Sequence, residues 1–158
     1  MNRPFAWARI LAWILRGVFR ILYRVEVRGE LPRAERMLIV ANHQSFLDAI
    51  LLGAFLPAWP TYLVHTSIAA KWYYRMGLRF IPHTVTDTTK PMAIKTLVGL
   101  VESGRPVLIF PEGRITVTGA LMKIYDGPAF VAARTGCAVV PVHFYGMVYT
   151  PFSRMSGA

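Results

Sequence analysis

Short apolar runs alternate with longer segments of helical periodicity along most of the chain. The pattern predicts helices at residues 45–55, 68–76, 91–102 and 127–135, and strands at residues 37–41, 62–64, 79–81, 106–110 and 138–142. The strands at 37–41, 106–110 and 138–142 lack apolar–polar alternation, so we expect them to be buried on both faces. This order predicts an α/β layered fold with a mostly parallel, buried sheet flanked by helices.

The first residues follow a different pattern, in which arginines interrupt an aromatic and aliphatic run. A helix at 5–22 would place Arg9, Arg16 and Arg20 near one face, with apolar side chains around much of the rest. That composition is typical of a basic amphipathic helix in a membrane interface, although a helix docked on the protein's own core has the same periodicity. Residues 23–28 then alternate apolar and charged side chains, which predicts a half-exposed strand.

The distribution of charge supports a separate role for the N-terminus. Of the 158 residues, 54% are hydrophobic, and Lys and Arg outnumber Asp and Glu by 18 to 8. The first 36 residues contain eight arginines and three glutamates, which favours anionic partners such as phospholipid headgroups or nucleic acid. No recognisable nucleic-acid module accompanies them, and no uncharged apolar run reaches the length of about 18 residues that a spanning helix needs. We expect a membrane-associating helix at 1–24 and one further domain at 25–158.

The cysteine and three of the histidines offer little metal or redox chemistry. The single cysteine, Cys137, excludes an intrachain disulfide and lies in an apolar run, where a small buried side chain is expected. His65, His83 and His143 lack the spacing of metal ligands. We therefore expect no metal site and no cofactor.

Two polar residues follow the strand predicted at 37–41, in the segment Asn-His-Gln-Ser-Phe-Leu-Asp. His43 lies at the carboxyl end of that strand, where α/β folds bind ligands. Asp48, five residues later, can bond one imidazole nitrogen and leave the other free to accept a proton. The same segment fits a helix capping box, with Ser45 as the N-cap and Asp48 reaching back to it. Both interpretations stay open, and they are compatible because a carboxylate has two oxygens.

A second polar cluster follows the strand predicted at 106–110, in the segment Phe-Pro-Glu-Gly-Arg. Because parallel strands end at one edge of a sheet, Glu112, Gly113 and Arg114 are expected near His43. The glycine allows a substrate to approach its backbone N–H closely, and the arginine offers a planar fork to a phosphate. A Pro-Glu-Gly turn with a solvated arginine would explain the same residues without any function.

Together these clusters resemble the glycerophospholipid acyltransferase family. Its His-x4-Asp motif is matched by His43 and Asp48, its Phe-Pro-Glu-Gly motif by residues 110–113, and its short apolar strand with a proline by residues 139–142. The resemblance covers most of the chain and implies that His43 is a general base oriented by Asp48. It also implies a backbone oxyanion donor, for which we take the Gly113 N–H, and it implies these substrate-binding residues: Phe110, Pro111, Glu112, Gly113 and Arg114.

A narrower resemblance is to the N-terminal acyltransferase domain of the bifunctional 2-acylglycerophosphoethanolamine acyltransferase/acyl-ACP synthetase family. Residues 42–57, 91–127 and 130–136 carry it. An adenylate-forming domain follows in that family. Because the sequence stops soon after its last predicted strand, with no closing helix, the second domain here is expected to be C-terminally incomplete. The wider family has Asp-Arg after a Phe-Ile pair, where this chain has Pro82 and His83. That departure favours a zwitterionic phosphodiester substrate over a phosphomonoester.

The reaction implied is transfer of an acyl group from an acyl-ACP or acyl-CoA thioester to the free hydroxyl of a lysophospholipid, with lysophosphatidylethanolamine expected. The implied partners are the lysophospholipid, a membrane surface, acyl carrier protein and an acyl-ACP synthetase domain of a longer protein, but no nucleic acid. The implied location is the cytoplasmic face of a bacterial inner membrane, with peripheral or monotopic attachment. Two alternatives stay open, namely a 1-acylglycerol-3-phosphate acyltransferase and an inactive membrane-docking fragment that binds lipid.

Overall fold

A five-stranded parallel sheet forms the centre of the computed structural model, which describes residues 6–57, 59–79, 81–87 and 90–154. The strands are β1 (Met37–Ala41), β2 (Thr61–His65), β3 (His83–Thr86), β4 (Val107–Ile109) and β5 (Ala138–Val142). Their order is β3-β2-β4-β1-β5, and each neighbouring pair is parallel. The α/β fold with a mostly parallel, buried sheet is thus confirmed.

In the described part of the chain, six helices and a short 3-10 turn surround the sheet. The helices are α1 (Ala6–Tyr23), α2 (Leu47–Phe55), α3 (Thr66–Ala69), α4 (Trp72–Leu78), α5 (Pro91–Glu102) and α6 (Gly127–Thr135), and the 3-10 turn is Met147–Tyr149. Helix α5 begins on the proline that opens its predicted range. Helix α6 ends at Gly136, whose φ of 63° is the left-handed conformation that favours glycine at a C-cap.

The two faces of the sheet carry different helices because successive strand residues point to opposite sides. Leu52 of α2 packs on one face, against Met37, Ile39, Ala41, Tyr62 and Leu108. Helices α5 and α6 cover the other face, where the buried residues are Leu38, Leu97, Val101, Val107, Ile109 and Val131. Both faces of β1 and β4 are therefore dry, which explains why their sequences are continuous apolar runs. The prediction that residues 138–142 are buried on both faces is wrong, because β5 is an edge strand and its Val139 is 49% exposed.

Helix α1 forms an additional layer outside α2. Its Phe19 is buried against Leu47 and Leu51 of α2. The helix predicted at 5–22 is confirmed except for residue 5, which lies outside the described residues. None of the described helices combines the length and the apolar character needed to cross a bilayer.

The strand predicted at 23–28 is wrong. Helix α1 continues to Tyr23, and residues 24–36 form neither helix nor strand. Arg24 has a φ of 51°, a left-handed value that a strand residue does not adopt. Alternating polarity predicts a strand only where a neighbouring strand can supply hydrogen bonds, and the edges of the described sheet are β3 and β5.

The segment between β2 and α5 also differs from its prediction. The strand predicted at 79–81 is wrong, because β3 starts at His83, after Pro82 has accepted a hydrogen bond from the Tyr62 N–H at 2.9 Å. The helix predicted at 68–76 is two helices, α3 and α4. His65 causes part of this change, because its Nδ1 accepts the Ser67 N–H at 3.1 Å and so starts α3 directly after β2. Residue 80 lies outside the described residues.

Candidate active site

The loop between β1 and α2 brings His43 and Asp48 into direct contact. The Asp48 carboxylate is fully buried in the first turn of α2, and its Oδ2 lies 2.9 Å from His43 Nδ1. The same oxygen accepts the backbone N–H groups of Gln44 at 2.6 Å and Ser45 at 2.8 Å. A carboxylate that receives three N–H donors is held in one orientation, and so is the imidazole attached to it.

The contacts of Asp48 support the orienting interpretation fully and the capping interpretation in part, because the N-cap of α2 is Phe46 rather than Ser45 and makes no side-chain cap hydrogen bond. Oδ2 reaches back to the Ser45 N–H as the acidic partner of a capping box does, while Ser45 Oγ accepts the Leu47 N–H at 3.2 Å. Because an ionised carboxylate only accepts hydrogen bonds, the neutral imidazole carries its proton on Nδ1. Nε2 of His43 is thereby left as the ring nitrogen that can accept a proton.

Phe110 and Glu112 fix the position of His43 from the end of β4. The Phe110 ring stacks on the imidazole, with 3.9 Å between ring centroids and 15° between ring planes. Glu112 is buried, and its Oε1 accepts the His43 N–H at 2.8 Å while its Oε2 accepts the Met122 N–H at 2.9 Å. Both oxygens of Glu112 therefore contact the protein backbone, which differs from the substrate contact predicted for this residue.

The turn after Glu112 places the other predicted substrate-binding residues in unequal positions. Pro111 is buried, and its carbonyl accepts the Tyr125 N–H at 3.1 Å. Gly113 has a φ of 68°, which requires glycine, and its N–H donates to the Phe110 carbonyl at 3.1 Å. That N–H is already used inside the turn, so the geometry does not offer it as the oxyanion donor we expected. Arg114 is exposed and open to an anion.

The segment after β5 supports the other side of the His43 loop. Asn42 pairs with the backbone of Phe144, donating from Nδ2 to its carbonyl at 3.1 Å and accepting its N–H on Oδ1 at 2.7 Å. Gln44 Oε1 accepts the Met147 N–H at 3.2 Å. The loop is thus held between residues distant in sequence, which gives His43 a defined position before any substrate binds.

A cavity of about 100 Å³ opens beside these residues. Its polar walls are formed by Asn42, His43, Gln44, Glu112, Thr116 and His143, and residues 119–121 form an apolar wall. His143 was missed as a site residue because its spacing was judged only against metal ligation. Its position directly after an apolar run that predicts a strand, as for His43, is the sequence signal that could have found it. Among the described residues, no group of three or more His, Cys, Asp or Glu side chains could hold a metal.

Comparison with known proteins defines the class to which this fold and site belong. Residues 24–145 match the family model described as Acyltransferase. The chain therefore belongs to the acyltransferase family. The resemblance to glycerophospholipid acyltransferases is confirmed at the level of the family.

Individual relatives and a solved structure agree with that assignment. A lyso-ornithine lipid O-acyltransferase of Pseudomonas aeruginosa is 35% identical over 141 residues, covering 82% of this chain and 50% of that protein. A 1-acyl-sn-glycerol-3-phosphate acyltransferase of the same organism is 26% identical over 150 residues, covering 92% and 58%. The crystal structure of the 1-acyl-sn-glycerophosphate acyltransferase PlsC from Thermotoga maritima matches with a TM-score of 0.69 at 21% identity, over 90% of this chain and 59% of that one, and shows the fold. The chain spans about half the length of the curated relatives it matches.

Proposed function

We propose that this chain carries the acyl-transfer site of a lysophospholipid acyltransferase, with His43 as general base and Asp48 as its orienting partner. The observation that carries the proposal is the three-donor arrangement on Asp48 Oδ2, which fixes the imidazole and leaves Nε2 as its basic nitrogen. His43 also lines the cavity at the carboxyl edge of the sheet, where a substrate hydroxyl can reach it.

In the proposed reaction, Nε2 of His43 removes the proton of the acceptor hydroxyl as its oxygen attacks the thioester carbonyl carbon. A new C–O bond forms and the C–S bond breaks, so that an ester and a thiol are released. The proton on Nε2 passes to the leaving sulfur, which returns the imidazole to its neutral form. Asp48 stabilises the transient imidazolium, and the stacked Phe110 ring keeps the imidazole plane in place.

For the substrates, we propose lysophosphatidylethanolamine as acceptor and an acyl-ACP or acyl-CoA thioester as donor. Pro82 and His83 stand where the wider family has Asp-Arg, and this supports a phosphodiester acceptor. Exposed Arg114 lies in the turn after Glu112 and can pair with the acceptor phosphate. Lysophosphatidic acid is the second candidate, because several relatives are named 1-acyl-sn-glycerol-3-phosphate acyltransferases. Transfer to a panel of lysolipids that differ only in headgroup separates the two.

Helix α1 supports attachment to a lipid surface. Two arginines of its predicted polar face turn toward α2: Arg16 Nε donates to the Ala54 carbonyl, and the Arg20 guanidinium lies 5.8 Å from the centroid of the Phe55 ring. The surface left uncovered is largely apolar and includes Trp7, Ile10, Trp13, Ile14, Ile21 and Leu22. Exposing an apolar helix face of this size to water is unfavourable, and burying it in a membrane interface lowers the free energy. We propose peripheral or monotopic attachment at the cytoplasmic face of a bacterial inner membrane, with acidic acyl carrier protein drawn to the basic chain.

The experiment that tests the proposed function is acyl transfer by the purified chain in liposomes, with labelled acyl-ACP or acyl-CoA and lysophosphatidylethanolamine. His43→Ala should lower turnover by about 10²–10⁴-fold, the usual contribution of a general base. Lys95→Ala, which changes an exposed lysine of α5 on the opposite face of the sheet from α2, is the control and should keep wild-type turnover. Wild-type turnover in His43→Ala would refute the proposal. Liposome binding without transfer in the wild-type chain would favour the inactive membrane-docking fragment.

A further inference from the structure

The residue that follows β5 lies on the wall of the same cavity as His43. β5 pairs with β1 in parallel, and Val142 lies opposite Ala41 at the end of this ladder. The next residues of the two strands are His143 and Asn42, and both line the cavity. Neighbouring strands are about 4.8 Å apart, so His143 leaves the sheet roughly one strand spacing from the start of the His43 loop.

Most other polar side chains on the cavity wall are already committed to the protein. Asn42 uses both its amide oxygen and its amide nitrogen on the Phe144 backbone. Glu112 uses both carboxylate oxygens on backbone N–H groups. The Thr116 hydroxyl donates to the Ala120 carbonyl at 2.9 Å and accepts the Thr118 N–H at 3.3 Å. These groups shape the cavity, and they have little capacity left for a ligand.

His143 differs from them in two ways. Its side chain is exposed and makes no hydrogen bond or ion pair with the rest of the described chain. It is also, with His43, one of the two cavity-lining side chains that can carry positive charge. His43 already donates from Nδ1 to Asp48, whereas both ring nitrogens of His143 are available to a ligand.

We propose that His143 is a substrate-binding residue that donates a hydrogen bond to the phosphate of the lysophospholipid acceptor. The inference rests on the proposed function, because it uses His43 to position the acceptor hydroxyl. In a lysophospholipid, one oxygen and either two or three carbons separate the free hydroxyl oxygen from the phosphorus, depending on whether the acyl chain is on the first or the second glycerol carbon. That short link suits two imidazoles that leave neighbouring strands, one on the hydroxyl and the other on the phosphate. A hydrogen bond to an ionised phosphate oxygen is also stronger than one between neutral groups.

The test measures headgroup binding separately from turnover. Soluble sn-glycero-3-phosphoethanolamine is titrated into the intact chain, and its Kd is measured by calorimetry or from the NMR shifts of the histidine rings. His143→Ala should weaken binding by about tenfold, the loss expected for one charge-assisted hydrogen bond. His143→Arg should restore most of the affinity because it returns a cationic donor. Lys95→Ala, at an exposed lysine of α5, is the control and should bind as the wild-type chain does. Equal Kd values for the wild-type chain and His143→Ala, or no binding by the wild-type chain, would overturn the inference.

Kinetics then identify which substrate carries the phosphate that His143 contacts. His143→Ala should raise KM for lysophosphatidylethanolamine about tenfold, while kcat and KM for the thioester donor stay within twofold. A rise in KM for the thioester alone would assign His143 to the donor phosphate and overturn the proposal. If the wild-type chain transfers no acyl group, the proposed function fails. The Kd comparison still decides, in that case, whether His143 binds the headgroup.

Discussion

The β1–α2 loop and helix α1 both depart from the rule that charged side chains lie outside and apolar side chains inside, and they do so in opposite directions. Asp48, just after the loop, is 0% exposed, and Glu112, which follows β4 and contacts the loop, is 4% exposed. In α1, Trp13 is 74% exposed and Ile21 is 80% exposed. Both arrangements cost free energy, because a buried carboxylate loses its hydration and an exposed apolar side chain orders water around it.

The two regions differ in where the compensation comes from. The buried carboxylates are compensated largely inside the protein, since Asp48 Oδ2 receives three N–H donors and Glu112 receives two, while the buried Asp48 Oδ1 has no hydrogen-bond partner among the described residues. The exposed side chains of Trp13 and Ile21 are not covered by any other part of the described chain. A departure that is compensated internally fixes a geometry, and one that is not compensated points to an external partner. The comparison therefore separates the residues that position the proposed chemistry from those that position the whole domain on a lipid surface.

The largest effect is expected from a change at Asp48, on which the hydrogen bonds of the β1–α2 loop converge. Asp48→Asn removes the negative charge on which three N–H donors converge and disturbs the tautomer of His43. We expect turnover to fall by at least about 10²-fold and the free energy of unfolding to fall by about 2 kcal/mol, because hydrogen bonds to a charged group are lost. Acyl-transfer rates and urea unfolding measure the two effects. Asp126→Asn, at an exposed aspartate before α6, is the control. Unchanged turnover in Asp48→Asn would show that the aspartate only caps the helix.

A smaller effect is expected when the support from β4 is changed. Glu112→Gln replaces one acceptor oxygen with an NH₂ group that must face a backbone N–H. We expect the free energy of unfolding to fall by about 1–3 kcal/mol because a buried donor is left without an acceptor, and turnover to fall because His43 loses its anchor. Glu102→Gln, at an exposed glutamate that ends α5, should leave both properties unchanged. Full stability with a raised KM for the lysolipid would instead assign Glu112 to substrate contact, as the sequence predicted.

The smallest effect on stability, and a selective effect on localisation, is expected from the exposed face of α1. The double substitution Trp13→Ser and Ile21→Ser should weaken binding to liposomes of phosphatidylethanolamine and phosphatidylglycerol by about tenfold or more, because two large apolar side chains no longer enter the interface. The free energy of unfolding should change by less than about 0.5 kcal/mol, as it does for most surface substitutions.

The matched control for α1 uses exposed apolar residues on the opposite side of the sheet. Met92→Ser in α5 together with Phe130→Ser in α6 removes a similar kind of side chain. Equal losses of liposome binding in the two double variants would show that α1 is not the membrane-facing element. Phe19→Ala gives the contrast within α1, because this buried residue packs on α2 and its truncation should cost about 3–5 kcal/mol of stability.

Local sequence determined a large part of this protein. The bounds of β1, β5, α5 and α6 follow from apolar runs and from proline and glycine at the ends of elements. The contact between His43 and Asp48 is also local, since a five-residue separation across the start of a helix brings a carboxylate back to the loop before it. These features depend on residues that are near neighbours in sequence, so their spacing contained the information.

Only the tertiary structure decided which residues distant in sequence meet at the candidate site and which side of α1 faces the protein. Glu112 meets the His43 N–H across 69 residues and so braces the loop, a contact that the sequence did not predict, and His143 joins the cavity only through the pairing of β5 with β1. The arginines of α1 face α2 and its apolar side faces outward, although periodicity alone is the same for either orientation. Residues 23–28 alternate as a strand does, but none of the strands in the described residues pairs with them. Each outcome depends on which distant backbone or side chain is available as a partner, and the order of residues along one segment does not contain that choice.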